Sequence, residues 1–314
     1  VKNVRKLTEG AISLAAFIVL LLITIYIPPV GAFLNLILPL PFMLFAAKNE
    51  LKNIVAFFLA AILLSFLAGS FMGLGLMLLY GAIGVIIGFM LQKNKSRTSI
   101  LIVSSLVFMA GLIIYYVISV AFLKLNIIHE LTAALNDAVN NSQSMLKALG
   151  QEGQIEQIKK QYTDQLKMIE TLVPYFLIMM SITAVFIIQW INFPILKRFG
   201  VSVQPWGSFR NLSLPRSLLW YYLIALGVNI LAQPQEGTYL YTVVINATNI
   251  LNLFLLFQGL AFIFYIFYQK SVSKGFNALV VILAFMIPIV HYIILMLGII
   301  DLGFDYRKRF KKKE

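Results

Sequence analysis

The sequence predicts an all-α, polytopic membrane protein with about eight to nine transmembrane helices, and three observations carry that reading. Hydrophobic residues fill 61% of the 314 positions, where an average soluble domain has roughly half. Charged residues fill only 12%, about half the usual share. The apolar residues also fall into runs close to the roughly 20 residues that cross about 30 Å of hydrocarbon. The net charge of +13 therefore belongs to loops at a membrane surface, and nucleic acid is not an expected partner. Cysteine is absent, which excludes disulfides, a thiol nucleophile and thiolate metal sites.

The spans follow in order. The first, about 9–27, stops at Pro28, Pro29 and Gly31. It follows basic residues, is longer than a signal-peptide core and lacks a small-residue cleavage site, so it reads as an uncleaved anchor. The second, about 32–47, is short and contains Pro39 and Pro41. The third and fourth, about 53–70 and 73–92, are separated by a turn at 70–72. The fifth covers about 99–123. After a polar stretch, 124–170, come a sixth at about 171–196, a seventh at about 216–232 and an eighth at about 239–269. A last apolar block covers about 276–300.

Lys and Arg gather in alternate loops: Lys2, Arg5 and Lys6; Lys48 and Lys52; Lys93, Lys95 and Arg97; Lys197, Arg198, Arg210 and Arg216; Lys270 and Lys274. The intervening short loops near 28–31, 70–72 and 233–238 contain none. Basic residues favour the cytoplasmic side, which places the N-terminus in the cytoplasm of a multi-pass cell-membrane protein. A single last span would put the basic tail, Arg307 to Lys313, outside. Pro288 sits mid-block and breaks a helix, so a broken or re-entrant hairpin that returns the tail inside is the preferred reading.

The polar stretch 124–170 holds six of the twelve acids. Its apolar residues recur at helical spacing on either side of Gly150 and Gly153. It reads as an external amphipathic helical hairpin, serving as a cap, a lid or a docking surface.

The membrane part is poor in reactive groups. No Asp, Glu, Lys or Arg falls inside these spans away from their ends, which argues against a proton relay. The two histidines, His129 and His291, lack metalloprotease spacing, and neither a Gly-x-Ser-x-Gly elbow nor a Walker loop occurs. An enzyme is not expected, and no cofactor or metal is assigned. Neutral amides are more informative. Asn246, Asn249, Asn252 and Gln258 in span eight read either as helix-to-helix hydrogen-bonding groups or as the lining of a small-molecule site. Asn35, Gln189, Asn192 and Asn229 carry a weaker version of that reading. Small residues four apart, Ala11/Ala15, Gly69/Gly73 and Gly84/Gly88, read as partner or helix packing seams. The stretch 197–220, basic and aromatic, with Trp206, Phe209 and Trp220, reads as an interfacial anchor or a docking site. The basic tail reads as a binder of anionic headgroups.

Two segments carry a resemblance. PWGSFRNLSLPRSLLW supplies Pro205, Phe209, Leu214 and Pro215. LGIIDLGFDYRKR supplies Gly298, Asp301, Phe304, Asp305, Tyr306 and Arg307. Together they resemble the hallmarks of the YybS-like membrane proteins of Gram-positive bacteria, a family of unassigned function. The first six spans are also similar to the substrate-binding S component of energy-coupling factor (ECF) transporters. The likeness lies in the basic start, the small-residue seam of span one, the Pro-rich turn and the Gly-rich span four. It implies that Ala11 and Ala15 face a coupling subunit.

The resulting expectation has three parts: an S-component-like domain over 1–196 that includes the insert, a cytoplasmic loop over 197–216, and C-terminal membrane helices with a basic tail over 217–314. Its function reads as small-molecule binding or transport without an ATPase of its own, beside the bilayer and ECF-type coupling and ATPase subunits or another membrane partner. The alternative is a non-transporting scaffold or regulatory interaction protein.

Overall fold

A computed structural model describes residues 2–122, 124, 130, 133–134, 136–142, 155–304 and 306–307. Among them every regular element is helical. They include α1 Lys2–Tyr26, α2 Pro28–Leu34, α3 Leu40–Lys48, α4 Leu51–Leu76, a π-helical turn Met77–Gly81, α5 Ala82–Gln92, α6 Arg97–Phe122, α7 Ile155–Thr171, α8 Val173–Arg198, a 3-10 turn Phe209–Asn211, α9 Ser217–Ala232, α10 Tyr239–Gln269, α11 Lys274–Met286 and α12 Pro288–Phe304. The chain is thus an all-α polytopic membrane protein. His129, Asp305, the residues after Arg307 and the expected turn at Gly150–Gly153 lie outside the described residues.

Among the described residues, five stretches suffice by length and composition to cross a membrane, or six if a bent pair counts as one. That is fewer than the eight to nine expected, for identifiable reasons. Residues Leu51–Gln92 count as one 42-residue stretch, which as a straight helix would reach about 63 Å, twice the hydrocarbon thickness. Gly69 (φ −141°, ψ 18°) and Ser70 (φ 51°, ψ −142°) interrupt it. A Cβ at Gly73 would stand 2.5 Å from the Ser65 carbonyl oxygen, although eight residues of straight helix would separate them by about 12 Å. Gly10 neighbours Phe57, Gly69 neighbours Ile25 and Gly73 neighbours Leu21. The chain climbs along α1 and then turns back down it, so two helices occupy this stretch.

The other differences come from proline and length. Pro39, before α3, and Pro41, in its first turn, withhold N–H groups, and the backbone between α2 and α3 is held by Leu38 N–H to the Leu34 carbonyl and Leu40 N–H to the Ile37 carbonyl. Helix α9 has only 16 residues. The last apolar block bends by 113° between α11 and α12 at Ile287, just before Pro288.

The chain forms two compact units: residues 1–166 with 176–206, and residues 167–175 with 207–314. In the first, α3 lies on α5 with glycine at the contact. A Cβ at Gly84 would meet the Pro39 carbonyl oxygen at 2.6 Å, and one at Gly88 the Met43 carbonyl oxygen at 2.5 Å. Phe17, Phe42 and Phe57 fill the space between α1, α3 and α4, all but inaccessible. The basic loops of this unit share one end. Lys6 pairs with Glu50 at 3.1 Å, Gln92 donates to the Asn49 carbonyl, and Gln204 donates to the Asn94 carbonyl.

In the second unit α12 runs alongside α10 in the same direction. Gly298 lies against the Leu255 carbonyl, Asp301 meets Gln258, and Arg307 reaches the Tyr265 ring. Gly259 lies against the Ile294 carbonyl, so glycines on both helices let the backbones touch. The start of the basic tail therefore returns to the end of this unit where Arg210 stacks on Tyr268.

Candidate functional site

Each unit encloses polar side chains in an apolar environment. In the second unit Gln258, Asp301 and Arg307 form a network. Gln258, 1% exposed, accepts the Leu214 N–H at 3.0 Å and donates to Asp301 Oδ2 at 2.6 Å. Arg307 Nε donates to the same oxygen at 2.9 Å, and its Nη2 stands 2.7 Å away as an ion contact rather than a directed hydrogen bond. Arg307 Nη1 donates to the Arg210 carbonyl at 2.8 Å. A buried carboxylate is tolerated only when paired and hydrogen-bonded, and Arg307 and Gln258 supply both. This corrects the expectation of spans free of internal charge. Helix α12 runs to Phe304 rather than stopping near 300, so Asp301 lies inside it, 4% exposed.

Three of the four span-eight amides, Asn246, Asn249 and Gln258, take structural partners. Asn246 sits at the break between α7 and α8. Its Nδ2 donates to the Thr171 carbonyl at 2.6 Å, and its Oδ1 accepts the Tyr175 N–H at 2.9 Å. It thus satisfies one helix end of each sign. Asn249 donates to its own helix at the Ile245 carbonyl. Asn252 is half-buried, and its Oδ1 has no partner.

The first unit contrasts with this. Gln189 and Asn192, one turn apart on α8, are completely buried. Asn192 Nδ2 donates to the Leu36 carbonyl at 2.7 Å, in the Pro-interrupted stretch, where Leu40 N–H bonds Ile37 instead. Both polar atoms of Gln189, Asn192 Oδ1, Asn35 Oδ1 and the hydroxyls of Ser104 and Ser105 have no protein partner. Elsewhere, Ser65 and Ser181 bond a carbonyl of their own helix. Ser104 lies one turn from Ile100 and from Phe108. Gln189 lies one turn from Val185 and next to Ile188. These four apolar residues belong to one core cluster. Ser104 and Gln189 thus each neighbour residues of one core cluster, and each unmet buried group costs about 1–3 kcal/mol. A water or a polar solute relieves that cost.

The small-residue seams divide. Gly84 and Gly88 form a helix contact. Gly69 and Gly73 do not share one helix face, because the chain reverses between them. Ala11 and Ala15 are exposed, and Ala11 lines a groove between α1 and α4. The most intimate helix contact of the second unit, at Gly259 and Gly298, was legible only through the hallmark glycine at 298.

The loop at 197–216 is pinned rather than free. Val201 and Val203 are buried in the first unit. The Arg97 guanidinium lies 4.7 Å from both the Phe193 and Trp206 ring centroids. In the second unit Phe209 packs edge-on to Phe264 at 5.3 Å. No group of three or more His, Asp or Glu side chains among the described residues could hold a metal ion.

The two hallmark segments, some ninety residues apart, meet through Leu214, Gln258, Asp301 and Arg307. The family model described as "Predicted membrane protein (DUF2232)" matches residues 15–302. The chain belongs to this family. It is also 31% identical over 310 residues to the uncharacterised protein YybS of Bacillus subtilis (strain 168), covering 99% of this chain and all of that protein. No solved structure matches.

Proposed function

We propose that this membrane protein is a small-molecule binding or transport component that carries no ATPase and no catalytic site of its own. The observation that carries the reading is the Gln189 amide, completely buried with both polar atoms unpartnered, beside Asn192 and the proline-broken second span. Interrupted helices in transporters free backbone and side-chain groups for a solute. An apolar cavity with a few placed polar groups is the usual form of a small-molecule site. The N-terminus and basic loops face the cytoplasm in this reading, which the gathering of Lys6, Gln92, Asn94 and Gln204 at one end of the first unit supports. Energy would come from partner subunits of the coupling and ATPase kind.

The experiment is a search for ligands that raise the melting temperature of the purified protein, paired with mass spectrometry of bound metabolites. A solute whose thermal shift disappears in Gln189→Leu and Asn192→Leu, but persists in Asn249→Leu, supports the reading. A Gln189→Leu protein that is more stable, with no metabolite bound to the wild type, removes it. The scaffold reading is favoured instead by the structural use of Asn246 and Gln258. Co-purification of unrelated membrane proteins without a metabolite would support that reading.

A further inference from the structure

Between α1 and α4 in the first unit lies an open groove of about 440 Å³. Gly10, Ala11, Ala56 and Ala60 line it and present nothing larger than a methyl group. The stacked rings of Phe45 and Phe57, 4.2 Å apart, stand beside them. Lys6 and Lys52 stand at one end. Ala11, Ile12, Ala15, Val55 and Ala56 are exposed, so the chain itself leaves this side open.

We propose that the groove binds one anionic phospholipid, its phosphate between Lys6 and Lys52 and an acyl chain along the alanine wall. Charge complementarity commits the site to this occupant. The lysines sit within the first turns of α1's apolar run and of α4, at headgroup level; of the acids nearby, Glu9 lies one turn on from Lys6 and Glu50 pairs with it. Its ion pair with Lys6 is at the surface, with the Glu50 side chain 80% exposed, and such pairs are weak. The α4 N-terminus has no side-chain cap, which adds open N–H groups favourable to a phosphate. From Lys6 to Leu14 and from Lys52 to Ala60 the groove descends eight residues, about 12 Å, into the hydrocarbon. Basic pockets between helices at the cytoplasmic surface hold anionic headgroups in this way.

The test is native mass spectrometry of the full chain, titrated with phosphatidylglycerol and phosphatidylcholine of matched acyl chains. The first phosphatidylglycerol adduct should bind at least about five-fold more tightly than phosphatidylcholine. K6Q/K52Q should abolish that preference, and Ala56→Leu should weaken both lipids by filling the groove. K270Q/K274Q, which removes the same charge in the other unit, should change neither. Equal binding of the two lipids, or a preference that survives K6Q/K52Q, overturns the proposal. A dimer that Ala56→Leu or Ala11→Leu dissolves overturns it in favour of a second copy. The variants alter exposed positions and the partly buried Lys6, and an unchanged melting temperature confirms that each folds.

Discussion

Two buried polar clusters, one in each unit, are satisfied in opposite ways. Around Asp301 each side chain has a partner: the carboxylate takes Gln258 and Arg307, Gln258 takes Leu214, and Arg307 takes the Arg210 carbonyl, while Arg307 Nη2 has an ion contact in place of a hydrogen bond. In the first unit the Gln189 amide has no partner, and Asn192, Ser104 and Ser105 each leave an oxygen unmet. A fully satisfied network rigidifies its surroundings, whereas an unsatisfied one is costly unless something outside the chain completes it. The ionic cluster is therefore the structural element. The neutral, unmet one is the better place to look for a ligand, although a charged residue in a membrane is more often the functional one.

The sharpest way to break this contrast is Arg307→Leu. It leaves Asp301 buried and unpaired, and removing one partner of such a pair costs about 3–5 kcal/mol. The melting temperature of the purified protein should fall steeply. D301L/R307L should recover most of the loss, because apolar residues of similar size often replace a buried pair at little cost. Equal instability of the single and double variants would show that packing rather than charge holds this corner.

Glycine contacts test the same comparison through packing. Gly298→Leu would drive a side chain into the Leu255 backbone, and Gly88→Leu one into the Met43 backbone. Overpacking usually costs about 1–3 kcal/mol and sometimes more. Both variants should therefore lose stability. Only Gly298→Leu should also disturb the ionic network, read as altered accessibility of a cysteine placed at Arg210. Matching accessibility in the two variants would separate the glycine seam from the network.

Asn246→Leu comes next. It leaves the Thr171 carbonyl and the Tyr175 N–H unpaired at a helix break, each worth about 1–3 kcal/mol. Hydrogen exchange should speed up at Tyr175 while Asn249→Leu leaves it unchanged. An unaffected Tyr175 amide would return Asn246 to the ligand candidates.

Much of the fold was legible because helices in a membrane must satisfy their backbone internally and must be apolar over a set length. That constraint located α6, α8 and α10 and the break before Pro288. It was weaker where proline divides the second span and where the last helix continues past Ile300, and so the carboxylate at Asp301 was placed outside the spans. The partners of the amides were not legible. Asn246 and Gln189 are the same kind of residue in similar runs, and only the fold shows that one meets two helix ends while the other meets nothing. The hallmark residues Leu214, Asp301 and Arg307 formed a pattern, but Gln258, which joins them, entered only as one amide among several.

The smallest predicted effect decides between the two meanings of an unmet amide. In the absence of any ligand, Gln189→Leu removes buried polar atoms without partners and replaces them with a group of similar length. It should raise stability by about 1–2 kcal/mol, since exchanging an unsatisfied polar group for an apolar one recovers its desolvation penalty. Asn192→Leu should not match this, because it also strands the Leu36 carbonyl that Asn192 now satisfies. A gain in Gln189→Leu measured on protein freed of small molecules, turning into a deficit when a solute is present, would mark a site that accepts instability when empty in exchange for binding. A loss under both conditions would instead mean that ordered water already completes the amide, and the first unit would then resemble the second.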